Sequence, residues 1–316
     1  MTSVLILGQP YWGTRIARAL NAHAGDMQAR FVPQGGYARL LARPPRPDGL
    51  VLMRVGYRVG ASTARGRLFD AYWSVLRRSL PTAVPCHYWL GTDVLNTIEE
   101  AHAGTLRQTI FRAARDDLHI ADAPWLVAEL ESVGLQATTA HVPQPYHPPP
   151  MAAPLPPQFH VLTYLPADRF DFYGGGTLLE AARRLPDIQF EVVGSRGETA
   201  PSAPNNVSWQ GWVGDMAAPY ARSTVVVRIP RHDGFGATVI EGLLHARHVI
   251  YTHDVPFVRT VSPPSTENLA AALAELRDAH DTGRLSPNLT GREYALQEFS
   301  EATLVGRLVA VIRSRT

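Results

Sequence analysis

The sequence predicts an α/β protein of two domains, each with a parallel β-sheet covered by helices. Along both halves of the 316 residues, short apolar runs alternate with segments whose apolar residues recur every three or four positions. This is the pattern of strands followed by helices. A Pro-rich stretch, residues 143–157, separates the two halves, and such a composition is typical of an extended linker. The length is sufficient for two domains with cores of their own.

The first half contains six apolar runs of strand length with four helical segments between them. The predicted strands are 4–8, 29–32, 50–56, 83–88, 118–121 and 137–142, and the predicted helices are 14–23, 62–80, 105–114 and 124–133. Pro124 near the start of the last helix and Gly134 after its end are residues that commonly begin and end helices.

The second half repeats this alternation. Its predicted strands are 159–165, 190–194, 207–209, 224–227 and 248–252, and its predicted helices are 176–184, 216–221, 267–280 and 300–313. We therefore expect domains at 1–150 and 151–300, with a C-terminal helix in 301–316 that can pack back on the first domain. Ligands of such sheets bind beyond the carboxyl ends of the strands, which here predicts a site in the cleft between the domains.

Charge is distributed unevenly along the chain. All 30 basic residues are arginine, so any role that lysine fills elsewhere falls to arginine or is absent here. Half of these arginines but only 6 of the 28 acidic residues lie in residues 1–115. This basic half can attract an anionic acceptor or an acidic membrane surface. The alternative is that its arginines are solvated on several helices, and the sequence leaves both open.

The composition is that of a cytoplasmic protein. The single cysteine, Cys86, excludes an internal disulfide framework. No apolar run is long enough to span a bilayer, and the first residues lack the basic leader of a secretory signal. No spacing of His, Cys and acidic residues predicts a metal site. We expect neither a metal cofactor nor a nucleic-acid partner, and a peripheral position at the inner face of the membrane stays open.

The most informative segment is residues 228–256, RIPRHDGFGATVIEGLLHARHVIYTHDVP. It predicts a glycine turn followed by a helix and a short strand. Gly234 and Gly236 let the chain approach a ligand closely, and the helix behind them points free N–H groups at it, which favours a phosphate. Asp233 and Glu241 bracket the turn and can accept hydrogen bonds from hydroxyls. Phosphate and hydroxyl groups on one ligand suggest a nucleotide-sugar.

This segment resembles the E-x7-E signature of the family 4 retaining glycosyltransferases, which have the GT-B fold of two Rossmann-like domains facing a cleft. Asp replaces the first Glu in this chain, where the signature reads Asp233-Gly234-Phe235-Gly236-Ala237-Thr238-Val239-Ile240-Glu241. The resemblance implies that Glu241 accepts both ribose hydroxyls and that Asp233 contacts the donor sugar. It also implies that the amides of Gly236, Ala237 and Thr238 bind the diphosphate.

A second matching segment lies in residues 190–220. There FEVVG precedes NNVSWQGWV and a short helix, as in the family's pattern of strand, glycine and second strand. The resemblance places Trp212 and Val213 beside the nucleotide base. Packing in the core or between the domains is the alternative for Trp212.

A third matching segment, residues 160–182, corresponds to the loop and helix that hold the donor diphosphate in the family. Family members usually carry an Arg and a Lys-Gly pair there. In this chain the pair is Tyr173-Gly174, and the cation in the loop is Arg169. Arg169 is therefore the predicted diphosphate contact, with Arg231 or Arg228 as substitutes for the missing lysine. A surface arginine in a flexible loop is the alternative.

On the acceptor side, the resemblance points to the loop after the first strand. Gly8 and Gly13 fit a backbone that passes close to a ligand, and Tyr11 and Trp12 between them can stack on a sugar or a lipid. The alternative is that the two aromatic side chains fill a domain interface.

The segment His87-Tyr88-Trp89-Leu90-Gly91-Thr92-Asp93 lies at the end of a predicted strand and resembles an H-x-W-x-G-x-D-like segment of several sugar transferases. His87 or Asp93 can orient an acceptor hydroxyl or take its proton, and Trp89 belongs to the same predicted acceptor side. The alternative for His87 is a buried side chain whose hydrogen bonds the backbone satisfies.

The resemblance implies a transferase that moves a hexose-type sugar from a UDP- or GDP-linked donor to an acceptor with retention and without a metal. The acceptor is predicted to be anionic, lipid-linked or a small molecule. Two alternatives stay open: a degenerate GT-B protein that binds a nucleotide or a protein partner, and a GT-B enzyme of another reaction such as sugar epimerisation. The Asp at position 233 and the missing lysine motivate the first of them.

Overall fold

The computed structural model describes residues 1–45, 49–198, 200 and 202–315. The chain divides into two compact units, Met1–Pro145 with Ser300–Thr316 and Tyr146–Phe299. We refer to them as the first unit and the second unit. In the described part of the chain, no helix has the length and apolar character needed to cross a membrane.

The first unit contains a parallel six-stranded sheet in the order β2-β1-β3-β4-β5-β6. Its strands are β1 (Thr2–Gly8), β2 (Met27–Phe31), β3 (Leu50–Val55), β4 (Val84–Trp89), β5 (Leu118–Ala121) and β6 (Ala137–Thr139). Its helices are α1 (Pro10–His23), α2 (Tyr37–Ala42), α3 (Ala64–Ser79), α4 (Thr92–His102), α5 (Gln108–Ala113), α6 (Pro124–Ser132) and, at the end of the chain, α12 (Glu301–Arg313).

Alternation of side chains along β1 gives this sheet two cores. Val4 and Ile6 face α1 and α12, whereas Leu5 and Leu7 face α2 and α3, as expected for a strand whose successive side chains point to opposite faces. Both faces of the sheet are therefore covered, and its central strands are buried throughout.

Three features of the first unit differ from the sequence prediction. Residues 9–13 are not a loop, because α1 begins at Pro10, where the fixed φ of proline suits the first helical position. The helices α2 and α4 were not predicted. The start of α4 falls in residues 87–93, the segment predicted to act on an acceptor hydroxyl.

The second unit has a parallel sheet in the order β12-β11-β10-β7-β8-β9. Its strands are β7 (His160–Tyr164), β8 (Gln189–Val193), β9 (Val207–Gly211), β10 (Val225–Arg228), β11 (His248–Tyr251) and β12 (Arg259–Thr260). Its helices are α7 (Gly175–Arg184), α8 (Ala217–Ala221), α9 (Ala237–Leu244), α10 (Thr266–Asp281) and α11 (Leu289–Glu298). Both sheets are thus parallel, as predicted, while β12 and α11 were missed.

Arginine side chains hydrogen bond to the backbone of the Pro-rich stretch and hold it in place. Its described residues form no helix or strand, but the buried Arg247 donates to the carbonyls of Ala153 and Pro154 at 2.6 and 3.0 Å. Arg292 donates to Pro149 in the same way at 2.6 Å. Guanidinium groups thus satisfy carbonyls that proline-rich backbone cannot place in a ladder.

Candidate functional site

Sheet topology indicates where each unit can bind a ligand. In the second unit the chain leaves β7 toward β8 on one side and leaves β10 toward β11 on the other, although β7 and β10 are neighbours. Connections that diverge from adjacent parallel strands open a crevice at their carboxyl ends. The loops that border this crevice are residues 165–174 and 229–236, which hold most of the predicted donor residues.

Gly174 lets these two loops pack closely. It has a φ of +79°, and a Cβ on it would lie 2.5 Å from the carbonyl oxygen of Ile229. A backbone hydrogen bond also joins the two loops, because the Arg231 amide donates to the carbonyl of Phe172 at 2.7 Å. The predicted Gly174 is therefore required by contact between the loops as well as by its φ.

Asp233 forms an ion pair with Arg228, at the end of β10. Arg228 Nε and Nη2 donate to the two carboxylate oxygens at 2.5 and 2.7 Å, and the Tyr251 hydroxyl donates to Asp233 Oδ2 at 3.1 Å. Burial disfavours the charge on Arg228, but Asp233 outweighs this and raises the pKa of the guanidinium. At least three of the roughly four acceptor positions of the Asp233 carboxylate are thus occupied, which leaves little capacity for a sugar hydroxyl.

Gly236, immediately before α9, makes room for this ion pair. A Cβ at this position would collide with Nε and Cδ of Arg228. The backbone of Gly236 has a φ of −66°, which any residue can adopt, so glycine is needed here for space alone. The single O–H of Tyr251 is shared between Asp233 Oδ2 and the carbonyl of Gly234, which is 3.0 Å away. The centre of the Phe235 ring lies 5.2 Å from that of Phe299.

Glu241 lies on α9, one turn beyond its start, and accepts a hydrogen bond from the Tyr220 hydroxyl at 2.6 Å. Burial raises the pKa of Glu241, although the Tyr220 hydrogen bond and the charges of Arg228 and His147 oppose the shift. Burial and the Glu241 charge together raise the pKa of Tyr220 well above its ordinary value. Tyr220 therefore holds the carboxylate in one orientation as a permanent donor, and the remaining acceptor positions of Glu241 can take ligand hydroxyls.

Two helices begin at this crevice without a side-chain cap. The residues before α7 and α9 are Gly174 and Gly236, and neither helix has a side-chain hydrogen bond at its N-cap. In the first turn of α9, Thr238 Oγ1 is buried without a hydrogen-bond partner among the described residues. Uncapped N-termini attract anions through their amides and the helix dipole. The predicted amides of Ala237 and Thr238 belong to this turn.

Arg169 and Arg231 come together at one aromatic ring. The guanidinium carbon of Arg169 lies 4.0 Å from the centre of the Phe172 ring, and that of Arg231 lies 6.0 Å from it. Tyr173, which stands where the resembled family has lysine, contacts both Arg228 and Arg169, whose guanidinium carbons lie 5.2 and 5.7 Å from the centre of its ring. Of the two substitutes predicted for that lysine, Arg231 joins Arg169 while Arg228 pairs with Asp233.

Trp212 and Val213 directly follow β9. Trp212 is 80% exposed, which removes the alternative that it packs in a core of the second unit. Trp209, by contrast, packs against the core of this unit. An exposed indole is a surface on which a planar base can stack.

A pocket of about 230 Å³ lies in the first unit. Like the crevice of the second unit, this pocket lies where the chain leaves two adjacent strands in opposite directions. The strand β1 leads to β2 on one side, and its neighbour β3 leads to β4 on the other. Its lining comes from the loops after β1 and β3 and from the starts of α3 and α4. The lining residues are Gln9, Gly56, Tyr57, Arg58, Ala61, Thr63, Arg65, Gly66, Thr92, Asp93 and Asn96.

Polar side chains dominate this pocket. Arg65 donates to the Tyr57 hydroxyl at 2.7 Å, and Arg58 pairs with Glu100 at 2.8 Å. Asn96 and Gln9 add amide groups that both donate and accept. Such a mixture, with little net charge, suits a ligand that carries several hydroxyls. Of these residues only Asp93 was predicted as a site residue, because the position that they share depends on the strand order.

Asp93 has a structural role at the edge of this pocket. Its carboxylate accepts from the amides of Leu90, Gly91 and Val94 at 2.9, 2.9 and 3.1 Å. It thus satisfies backbone donors at the start of α4, as N-terminal acidic residues commonly do. Burial raises the pKa of Asp93 despite these hydrogen bonds.

His87 and Trp89 lie in the last half of β4, and their side chains are buried rather than exposed at the carboxyl end of the strand. His87 is 1% exposed, and its Nε2 hydrogen bonds to Asp117 at 2.7 Å. Trp89 donates to His119 Nδ1 at 3.1 Å. Burial lowers the pKa of His87 well below its usual value. In this arrangement neither side chain reaches an acceptor, and the alternative of a buried histidine describes His87, with a carboxylate rather than backbone as its partner.

The predicted residues after β1 divide between surface and core. Gly8 has a φ of +117° and abuts the carbonyl of Val55, so contact between strands explains it. Gly13 lies within α1, where a Cβ would come 2.5 Å from the Phe31 ring. Trp12 packs against the core, and Tyr11 is exposed. Of these four, only Tyr11 is presented to solvent.

Within the described residues, no group of three or more His, Cys, Asp and Glu side chains is placed to hold a metal ion. Most of the predicted donor residues lie in the loops after β7 and β10 or at the start of α9, whereas Trp212 and Val213 follow β9. The pocket of the first unit is built largely from residues that were not predicted.

No protein-family model matches the chain, and no curated protein matches it by sequence. Solved structures do match in fold. HepE of Anabaena, solved with UDP-glucose, superposes with a TM-score of 0.69 at 14% identity over 99% of this chain and 100% of its own. Sucrose-phosphate synthase of Thermosynechococcus elongatus gives 0.70 at 14% identity over 99% of both chains.

A third similar structure is TarM of S. aureus, solved in complex with UDP and α-GlcNAc-glycerol. It gives a TM-score of 0.63 at 11% identity over 87% of this chain, which corresponds to 58% of TarM. At these identities the likeness concerns the fold. Two parallel six-stranded sheets with alternating helices, matched over nearly the whole chain, establish that this protein has the GT-B fold.

Proposed function

We propose that this protein is a retaining glycosyltransferase that takes a sugar from a nucleotide-diphosphate donor. One observation carries the proposal: the β7/β10 crevice combines two uncapped helix starts, the Arg169–Arg231 pair and the Glu241 carboxylate. The helix starts and the two arginines can bind a diphosphate, and the Glu241 carboxylate can accept hydrogen bonds from a ribose. The similarity of the fold to proteins solved with UDP-glucose and with UDP supports this assignment.

In this proposal, Glu241 accepts hydrogen bonds from both ribose hydroxyls while Tyr220 holds its other oxygen. The amides of Ala237 and Thr238 bind the diphosphate, and the Thr238 hydroxyl adds a hydrogen bond to it. Arg169 and Arg231 neutralise the charge that grows on the diphosphate as it departs. Trp212 stacks on the base.

Asp233 has a different main role from the one implied by the resemblance. Because Arg228 and Tyr251 occupy most of its acceptor positions, we assign it to holding the loop before α9 in shape.

The acceptor is proposed to bind in the polar pocket of the first unit, as a molecule with several hydroxyls. In the transfer, the bond from the anomeric carbon to the diphosphate oxygen breaks and a bond to an acceptor oxygen forms on the same face of the sugar. The acceptor proton leaves with the diphosphate. No protein nucleophile and no metal are required for this balance.

A protein that binds a nucleotide without transferring sugar is the second candidate. The ion pair that occupies Asp233 is the observation in its favour. Calorimetric titration with UDP, GDP and their sugars tests both candidates, with Glu241→Ala as the variant and Glu275→Ala, an exposed acid on α10, as the matched control.

We expect one nucleotide to bind the parent and the Glu275 variant equally and the Glu241 variant at least tenfold more weakly. Absence of binding by every nucleotide would contradict both candidates. Binding without release of the sugar to any acceptor in a panel of polyols and glycosides would leave the binding protein as the conclusion.

A further inference from the structure

The exposed side of α3 carries an apolar ridge between arginines. Leu68 is 74% exposed and Val75 is 46% exposed, and Ala71 between them is also exposed. At about 100° of rotation per residue, these three side chains fall within an arc of about 60°. We call this surface, with its flanking arginines, the α3 face.

Arginines border the ridge on both sides. By the same rotation, Arg67 and Arg78 lie about 20–40° beyond Ala71, and Arg65 lies about 60° beyond Leu68. All three arginines are exposed. A helix with an apolar centre and arginines along its edges has the form of helices that lie in the interface of a membrane.

The charge of the α3 face is not neutralised locally. Among the described residues, no carboxylate pairs with its three arginines; Arg67 donates to the Ser62 carbonyl and Arg65 to the Tyr57 hydroxyl. The acid of α3, Asp70, is on the opposite side of the helix, where it is buried against Arg54 at 2.8 Å.

The neighbouring helix α2 extends this character. Its Tyr37 stacks on Tyr72 of α3 with ring centres 4.5 Å apart, so the two helices are side by side. Arg39 and Arg43, at the end of α2, are exposed. The basic surface therefore continues beyond α3.

We propose that the α3 face binds the surface of a bilayer that contains anionic phospholipid. Charge complementarity supports this occupant, since each arginine near such a surface contributes about fivefold to binding. Leu68 and Val75 would enter the region between headgroups and acyl chains. A nucleic acid leaves the apolar ridge without a partner, and a ridge of three short side chains is too small for the interface of a stable dimer.

Such binding would place the pocket of the first unit at the membrane surface, because Arg65 and Gly66 in the first turn of α3 also line it. A lipid headgroup could then reach the pocket directly. This consequence alone rests on the proposed function, whereas the binding itself does not.

Co-sedimentation with vesicles tests the proposal without any turnover. The full chain is mixed with phosphatidylcholine vesicles or with vesicles in which about a third of the lipid is phosphatidylglycerol. We expect binding to the second kind only. Arg67→Gln with Arg78→Gln should weaken it about 25-fold, and Leu68→Ser with Val75→Ser should weaken it at unchanged net charge.

Matched controls come from the second unit. Leu289 and Leu296 on α11 are 59% and 37% exposed, and their double Ser variant should bind as the parent does. The pair Arg196→Gln and Arg284→Gln changes the net charge by the same amount as the α3 pair and should also bind as the parent does. Circular dichroism melting of each variant checks that it is folded.

Three results would overturn the proposal. Equal sedimentation with both kinds of vesicle, or equal weakening by the control variants, would show that the α3 face is not the binding surface. A parent that is dimeric in light scattering and becomes monomeric when Leu68 and Val75 are replaced would assign the face to a second copy. Loss on replacing the arginines but not the apolar pair would show that the ridge does not enter the bilayer, and would leave the α3 face as a surface that attracts anions without inserting.

Discussion

Replacing Gly236 by alanine should disrupt the candidate donor site through one steric contact. The new Cβ would collide with Nε and Cδ of Arg228 and lie 3.0 Å from its Cζ. These atoms are in the middle of the side chain, so Arg228 must leave its rotamer. Its two hydrogen bonds to Asp233 are then lost together.

The magnitude follows from the geometry of this ion pair. Breaking a buried pair costs about 3–5 kcal/mol, but Arg228 and Asp233 retain 11% and 12% side-chain exposure and can recover part of this by turning to water. Alanine also restricts the unfolded chain, which stabilises the folded state by about 0.4–1 kcal/mol. We expect a net loss of about 2 kcal/mol.

Urea denaturation of the full chain, followed by circular dichroism, measures this loss. For a unit the size of the second, the melting temperature should fall by about 4–8 °C. Gly176 supplies the matched control, because a Cβ there meets nothing within 4 Å. Gly176→Ala lies in the first turn of α7 and should be neutral or stabilising by up to about 1 kcal/mol.

A double-mutant cycle identifies the cause. If the collision with Arg228 is responsible, Gly236→Ala should cost little in a chain that already carries Arg228→Ala. The reasoning is refuted if Gly236→Ala is as stable as Gly176→Ala and keeps its nucleotide affinity. It is also refuted if Gly236→Ala lowers the free energy of unfolding equally in the parent chain and in the chain with Arg228→Ala.

Three further outcomes follow from charged and titrating groups. Because burial raises the pKa of Glu241, affinity for UDP-glucose should fall on acidification at a pH above the ordinary glutamate value of 4.5. Tyr220→Phe should move this loss to higher pH, so coincident calorimetric profiles would contradict the assignment. Burial lowers the pKa of His119 to about 3, so its contribution to stability is complete above about 6.5 and is lost as the pH falls toward 3. In urea titrations His119→Gln should reduce the pH dependence by about 1.4 kcal/mol per pH unit in that range; an unchanged slope would be evidence against it. Arg169→Gln should weaken UDP about 10- to 100-fold and leave uridine unaffected, whereas Arg284→Gln should change neither, and equal losses for UDP and uridine would remove Arg169 from the diphosphate.

Much of the second unit could be predicted from sequence because its site is built from local patterns. The spacing of Asp233, Gly236 and Glu241 is a property of one strand, turn and helix. Gly174 marks the neighbouring loop for the same reason, since its φ of +79° needs glycine. The ion pair between Arg228 and Asp233 could not be predicted, because it depends on a rotamer that passes over Gly236.

The first unit shows where sequence reasoning fails. His87 and Trp89 were interpreted as site residues because they lie near the end of a strand, but β4 is a central strand of a sheet covered on both faces. Polar residues in such a strand must find partners inside, and His87 finds Asp117 at 2.7 Å. Asp93 was predicted to orient an acceptor hydroxyl or take its proton, whereas its carboxylate accepts from the amides of Leu90, Gly91 and Val94 around the start of α4.

The pocket of the first unit was missed for a different reason. Gln9, Arg58 and Asn96 belong to segments that are far apart in sequence. They meet only because β3 returns to the side of β1, which creates the crevice. Apolar runs predict the strands but not their order, so the location of the pocket requires the pairing of the strands.

The missing lysine has a structural counterpart that bears on whether the site is degenerate. Tyr173 stands at the lysine position and contacts Arg228, while Arg169 and Arg231 lie against the ring of Phe172. A guanidinium can lie on an aromatic face and still present N–H groups at its edge to a phosphate. A chain without lysine can therefore hold two cations at the crevice by placing aromatic residues beneath arginines. On this argument the departure from the pattern of the resembled family is compatible with an anion site of different construction, so the missing lysine alone does not favour a protein that has lost nucleotide binding.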